Sequence, residues 1–410
     1  MKDARPTMSL AWVFGLTVIG YPVAGVLAVF AGLPSAGTSY PFRALVVVLA
    51  GAMFLRVGHV SRATRLHPWL AAFWAMYAMR LLWDMAVGTE GAGAALFFFL
   101  TTVLVPVGCM SRAARAWDEV AAARVVFLLG TFISASAIVL EVFGYAGDRS
   151  LTEATGRLFL DTVNPITFGH AGVSTLLAAA VLYYGRRSAI STVSLSIGAG
   201  LAVACIILAA SRGPVVALAA CAVAVAISQG RWTLVLILTL GILGAMWTGE
   251  LDVVSRFYGL EDDASSLERL LLQANAIQMF SEHPLLGSAY AEFELNTYPH
   301  NMFIETAMAL GIVGLASIIA LTLISFGRAW AQLLAGRILL PLLFFQYFLG
   351  FQFSGSLWGS HAFWACTALL LSRPTQATWR RIRTPRAGNA TARAPVTTGP
   401  LAQAPGGTVE

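Results

Sequence analysis

His300, Arg269 and Arg212 are the residues of this chain whose chemistry stands out. A guanidinium keeps its charge at any accessible pH and grips phosphate with two parallel N–H donors. An imidazole accepts a proton near neutrality. Two guanidiniums and one imidazole meeting at one place would supply what transfer from a lipid pyrophosphate needs. The cations stabilise the charge of the leaving group, and the base takes the proton of an acceptor hydroxyl.

The pattern around His300 is the most specific in the chain. His300-Asn301 is followed by Met302 to Leu310 and then by Gly311-Ile-Val-Gly314. Pro299 breaks the chain just before, so His300 and Asn301 fall at a helix start. There Asn301 suits the N-cap position, and the N-terminal end of the helix attracts anions. Glu305 falls about one turn inside, where a carboxylate must be paired or sit in a wet cavity. Gly311 and Gly314, deeper still, predict the close approach of another helix. Arg212 lies in a tight turn, Ser211-Arg212-Gly213-Pro214, and His170 in Phe168-Gly-His-Ala171 is placed to line the same cavity. Each has a plainer alternative. His300 by itself reads as a capping residue, Arg212 as a headgroup anchor, His170 as a packing residue. Arg269 reads as a surface partner of Glu268, Asp262 or Asp263. Glu261-Asp262-Asp263 invites a metal, but it directly precedes a helix start that favours acidic residues anyway. No metal and no cofactor is expected.

The elements that position these residues are membrane helices. The chain is 58% hydrophobic and 11% charged, where a soluble domain carries about a quarter charged residues. Apolar runs of bilayer length recur along it, continuous and not alternating, which means helices and not a barrel. The runs predict spans at roughly 9–31, 41–58, 68–88, 93–110, 121–143, 164–184, 190–210, 213–229, 231–249, 301–326, 333–351 and 355–372. The expected fold is an all-α polytopic membrane domain of about twelve helices over 1–373. A long outer loop at about 250–300 joins helices 9 and 10, and a disordered cytoplasmic tail covers 374–410. The four cysteines fall within or at the ends of spans, so no disulfide framework is indicated. Within the loop, Ser265-Ser-Leu-Glu268 resembles a capping box. Leu267, Leu270, Leu271, Ala274 and Ile277 recur at helical spacing, so that helix should rest an apolar face on the membrane or on the mouth of the bundle.

Alternating the spans places nineteen of the 26 lysines and arginines inside, against only Asp3, Asp118, Glu119 and Glu410 of the 20 acidic residues. Excess positive charge marks the cytoplasmic side, so both termini are expected in the cytoplasm and the long loop outside. Arg212 is a conspicuous exception, on the outer face. A cytoplasmic nucleotide-sugar donor is thereby excluded, and nothing points to nucleic acid.

His300-Asn301 with its spaced glycines, Glu268-Arg269, His283-Pro-Leu-Leu-Gly287 and Ser211-Arg212-Gly213 together resemble the O-antigen ligase and polymerase superfamily of bacterial envelope glycosyltransferases. The motifs cover roughly 205–330, and the layout of helices extends the likeness over most of the chain. The resemblance implies a C-type glycosyltransferase-like fold in the inner membrane. It implies metal-independent transfer of a saccharide from an undecaprenyl-pyrophosphate carrier on the periplasmic face. His300 would be base or acceptor-positioning residue, and Arg212 and Arg269 would bind pyrophosphate; apart from the resemblance, Asn301, Glu305 and His170 are the candidates for contact with substrate. The acceptor would be lipid A–core in the ligase branch and another lipid-linked repeat in the polymerase branch. The short outer segment Gly144–Val163 favours the ligase branch, because polymerases often have more chain there. A transporter or flippase for a lipid-linked saccharide is the rival reading. It requires a site reachable from both sides, whereas the polar cluster lies on one.

Overall fold

The structure, a computed structural model, describes residues 4–58, 65–143, 163–184, 190–233, 235, 236, 239, 240 and 264–372. It is all-helical, as expected. The helices are α1 (Ala4–Phe30), α2 (Ser35–Gly58), α3 (Pro68–Ala86), α4 (Ala92–Phe98), α5 (Val105–Ala113), α6 (Glu119–Val142) and α7 (Pro165–Tyr184). They continue with α8 (Thr192–Ala209), α9 (Arg212–Gln229), α10 (Ala264–Glu282), α11 (Met302–Leu334), α12 (Leu339–Phe353) and α13 (His361–Ser372). A π-helical stretch, Phe99–Leu104, joins α4 to α5 in one run.

Most of these helices are apolar on every side, the signature of a segment solvated by lipid and by its neighbours. Among the described residues, eight helices are long and apolar enough to cross a bilayer. The protein is a polytopic membrane protein. The expected span at 231–249 is described only in fragments, and the tail from 374 and the loop residues 250–263 lie outside the described residues.

Helix ends are closed by side chains, because lipid cannot satisfy a free N–H. Asp118 accepts from the N–H groups of Val120 and Ala121 at the start of α6. Ser191 does the same for α8 through Ser194. The start of α12 is capped from across the sequence, Glu119 Oε1 accepting from Ile338 and Leu339 at 2.5 and 2.6 Å. Inside the bundle, Gln346 of α12 donates to the His170 carbonyl at 2.8 Å, and the Ser174 and Tyr347 hydroxyls pair at 2.8 Å.

Two expectations are corrected. The span expected at 301–326 is part of a longer element, α11, which is broken at Gly311 (φ 64°, ψ −159°). What approaches Gly311 is loop backbone at Leu285, not another helix, and Gly314 meets only Leu310 of its own helix. The residues beyond Gly311 alone exceed the roughly 20 needed to span, which leaves Met302–Leu310 as a separate segment. Second, the last helix begins at His361 and not at 355: Gly355 (φ 124°) and a turn closed by Ser360 N–H to the Ser356 carbonyl hold Ser354–Ser360 as a loop. For α10, Leu272, Ala276 and Met279 pack on the rest of the chain, while Leu267, Leu270, Leu271 and Ile277 are exposed. Small Ala276 and Ala289 let that contact close around Met308. The exposed stripe is the face that helical spacing alone had singled out.

Candidate active site

The His283–Gly287 turn and the break in α11 form one interlocked unit. The Ser288 N–H donates to the Met308 carbonyl at 2.7 Å, and the Ile312 N–H to the Pro284 carbonyl at 2.8 Å. Gly287 (φ 75°) lies against the backbone of Ala309 and Leu310, and Gly311 against that of Leu285, so a β-carbon at either position would overlap main chain. Breaking α11 at Gly311 exposes backbone groups that a buried site must satisfy, and the turn supplies them. This is why the two glycine-bearing motifs belong together.

Arg80 of α3 holds the turn from the other side. Its guanidinium donates to the carbonyls of Ser288 at 2.9 Å and Leu286 at 3.1 Å, and pairs with Asp84 at 3.2 Å. Asp84, 2% exposed, accepts in turn from the Tyr290 N–H at 2.8 Å. Further along, Glu292 folds the chain by accepting from the N–H groups of Glu294 and Leu295, both at 2.8 Å, and from Asn275 of α10 at 3.1 Å.

The strand of loop so fixed delivers His300. Its backbone is left-handed (φ 55°), uncommon for a residue with a β-carbon and most often found where a site imposes it. Asn301 follows as the N-cap of α11, its Oδ1 accepting from Phe303 and Ile304 at 3.0 and 3.2 Å. The His300 ring packs edge-on to Tyr298 at 4.6 Å, and Nδ1 is buried without a hydrogen-bond partner. Burial first, and the Arg269 guanidinium second, lower its pKa from 6.5 to about 4, so the ring is neutral at ordinary pH. Arg269 acts on Tyr298 as well, whose hydroxyl burial nevertheless keeps protonated. Arg269 lies one turn before Leu272 on the inward side of α10. Arg269 and His300 are therefore brought together.

Tyr298 forms one wall of a cavity of about 370 Å³. The other walls are α1 with Tyr21, the start of α7 with Asn164 and His170, the end of α12, and the Ser354–Ser360 loop running into His361. His170 is buried against Gly350, where a β-carbon would stand 2.7 Å from Nε2, and that nitrogen has no hydrogen-bond partner. Arg212 opens α9 beside this wall: a β-carbon at its neighbour Gly213 would lie 4.0 Å from His170 Nε2. Glu305 does not line the cavity. Fully buried, it accepts from the Leu357 N–H at 2.9 Å, and thereby holds the loop that does.

Sequence reasoning missed much of this cavity. Tyr21, Tyr298, Tyr347 and the Ser354–Ser360 loop carry no motif. His361 was recognisable only as a histidine near an outer helix end. Only its place beside Tyr21, ring centroids 4.3 Å apart, shows that it faces the cavity.

A protein-family model described as O-antigen ligase matches residues 197–319. An O-antigen ligase of Pseudomonas aeruginosa is 27% identical over 257 residues, which are 60% of this chain and 59% of that protein. The ligase-family match encloses Arg212, Arg269, His300, Asn301 and Glu305, together with the interlocked glycines. His170 precedes it, and the cavity walls built by α1, α12 and α13 lie outside it.

Proposed function

We propose that this protein transfers a saccharide from an undecaprenyl-pyrophosphate carrier to a lipid-anchored acceptor on the periplasmic face of the inner membrane, with lipid A–core as the acceptor. One observation carries the reading: the neutral His300 imidazole, under the influence of the Arg269 cation, packs on Tyr298 of the cavity wall, and Arg212 opens α9 next to His170 of the same cavity.

In this mechanism His300 takes the proton of the acceptor hydroxyl, whose oxygen attacks the anomeric carbon of the donor saccharide. The bond from that carbon to the phosphate oxygen breaks, and undecaprenyl pyrophosphate leaves with the electron pair. Arg212 and Arg269 hold its charge through two-pronged hydrogen bonds. The low basicity of His300 suits this order of events. The Arg269 guanidinium suppresses protonation of the ring, and an anionic donor opposes that field. The base therefore strengthens when the donor is bound. The chemistry derived for these residues places no demand on a metal.

The ligase branch is preferred to the polymerase branch, which would use a second lipid-linked repeat as acceptor. The support is the name of the matched family and of the P. aeruginosa relative. Transport is the weaker reading, because the matched family and the P. aeruginosa relative are both named as ligases.

The test is genetic and chemical together. In the native host, deletion complemented by His300→Ala or Arg212→Ala should leave lipid A–core without polymer while lipid-linked polymer accumulates. Core capped by single repeats would point to the polymerase branch. Full rescue by His300→Ala would sink the catalytic assignment. Purified protein should release undecaprenyl pyrophosphate only when acceptor is present.

A further inference from the structure

Among the described residues no carboxylate pairs with Arg43 of α2, unlike Arg80, which pairs with Asp84. Arg43 instead lies over two aromatic faces, 4.2 Å from the Phe98 centroid and 5.4 Å from that of Tyr21. It donates through Nη1 to Ser39 Oγ of its own helix, and its Nε is buried with no acceptor. Its surroundings are apolar: α2 is largely exposed along its length, with Leu45 and Val48 facing outward. A cation in such a place is costly unless it serves a ligand.

Its position gives the ligand a location. Tyr21, under the guanidinium, and His361, packed on Tyr21, both line the 370 Å³ cavity. Phe98, the other ring beneath Arg43, meets Trp358 at 5.6 Å, Trp358 meets Tyr298 at 6.0 Å, and Tyr298 meets His300. A run of aromatic rings thus joins Arg43 to the proposed base. Aromatic faces bind the apolar faces of sugar rings, and a guanidinium binds phosphate.

We propose that Arg43 is a second anion subsite beside this cavity, behind its Tyr21 wall, which takes the phosphate of a lipid-anchored glycan and lays the glycan along the aromatic run towards His300. It rests on the glycosyl-transfer reading above and adds to it a phosphate contact on the α1–α2 wall, apart from that of Arg212 and Arg269. The phosphate belongs to the carrier or to the acceptor; the chemistry is shared, and the test separates them.

The full chain, purified in lipid nanodiscs, is titrated with undecaprenyl pyrophosphate, with lipid A–core, and with lipid A–core stripped of phosphate. Arg43→Gln should weaken binding of one phosphorylated probe by about tenfold or more, Arg43→Lys should restore part of it, and the stripped probe should bind wild type and Arg43→Gln alike. The probe that responds identifies the source. Should Arg43→Gln fail to fold, phenylglyoxal labelling of wild-type Arg43, read by mass spectrometry, replaces it: the responding probe should protect Arg43 and undecaprenol should not. Unchanged affinity for both phosphorylated probes in a folded Arg43→Gln, or labelling that neither probe reduces, overturns the proposal. Binding through Arg43 without any saccharide transfer would instead overturn the transfer reading alone.

Discussion

The Tyr298 ring stands edge-on to the His300 imidazole, centroids 4.6 Å apart, and the same tyrosine forms part of the cavity wall. The histidine is thereby held at the cavity by an aromatic contact and a left-handed backbone, not by a hydrogen bond to Nδ1. A neutral ring held this way can meet a substrate hydroxyl without first giving up a protein partner.

The protonation of His300 should follow the charge beside it. Its folded pKa of about 4 lies below the ordinary 6.5, so the neutral form persists as pH falls until that value is crossed. Removing the cation in Arg269→Gln should move the titration upward, towards but not up to 6.5, because burial is the larger cause. Titration of the ring by NMR in ¹³C-histidine-labelled protein, assigned with His300→Gln, checks this. A titration unmoved by Arg269→Gln would show that the guanidinium does not act on the ring. In kinetics the same effect should place the acid limb of kcat above that of kcat/KM, since the bound donor neutralises Arg269.

Gly311→Ala should destabilise the protein by about 3 kcal/mol or more, through a backbone region open essentially to glycine alone and a β-carbon overlapping the Leu285 carbonyl. Gly314→Ala, whose β-carbon would meet only the Leu310 side chain, should cost less. Thermal unfolding in detergent measures both. Equal losses at the two positions would contradict the interlock.

Arg80→Ala should cost about 3–5 kcal/mol, because it strands the buried Asp84 carboxylate and releases the turn carbonyls. Adding Asp84→Ala should recover part of the loss. A double-mutant cycle with no coupling would show that the pair does not act as a unit.

Glu305 offers a contrast between shape and charge. Glu305→Gln keeps an acceptor for the Leu357 N–H and should stay within about 1 kcal/mol of wild type, while Glu305→Ala should lose about 1–3 kcal/mol. If Glu305→Gln is stable yet inactive, the carboxylate itself serves the reaction, and the structural role described here is incomplete.

The spans were legible because lipid forces an apolar surface onto all sides of a helix, and length does the rest. Cap positions such as Asn301 were legible because capping is local chemistry. What escaped was non-local. Arg80 and Asp84 sit one turn apart within an expected helix, but nothing near them in sequence announces partners at Ser288 and Tyr290, some 200 residues on. The break at Gly311 escaped for a related reason: glycine is ordinary in membrane helices, and only the turn at Pro284–Gly287 makes this one a hinge point of the backbone. In α10 both faces carry apolar residues, so periodicity found a stripe but could not tell which one meets protein. At the candidate site, residue type revealed His300, Arg269 and Arg212. The aromatic walls stayed hidden, since eleven tryptophans and ten tyrosines spread through a membrane protein carry no spacing code.

The union of the Pro284–Gly287 turn with α11 has a genetic consequence. Main chain meets main chain there, and no side chain is available to shrink in compensation. A suppressor screen started from Gly287→Ala or Gly311→Ala should therefore return true revertants and little else. One started from a change at Tyr298 or Trp358, where side chain meets side chain, should find second-site changes that restore growth.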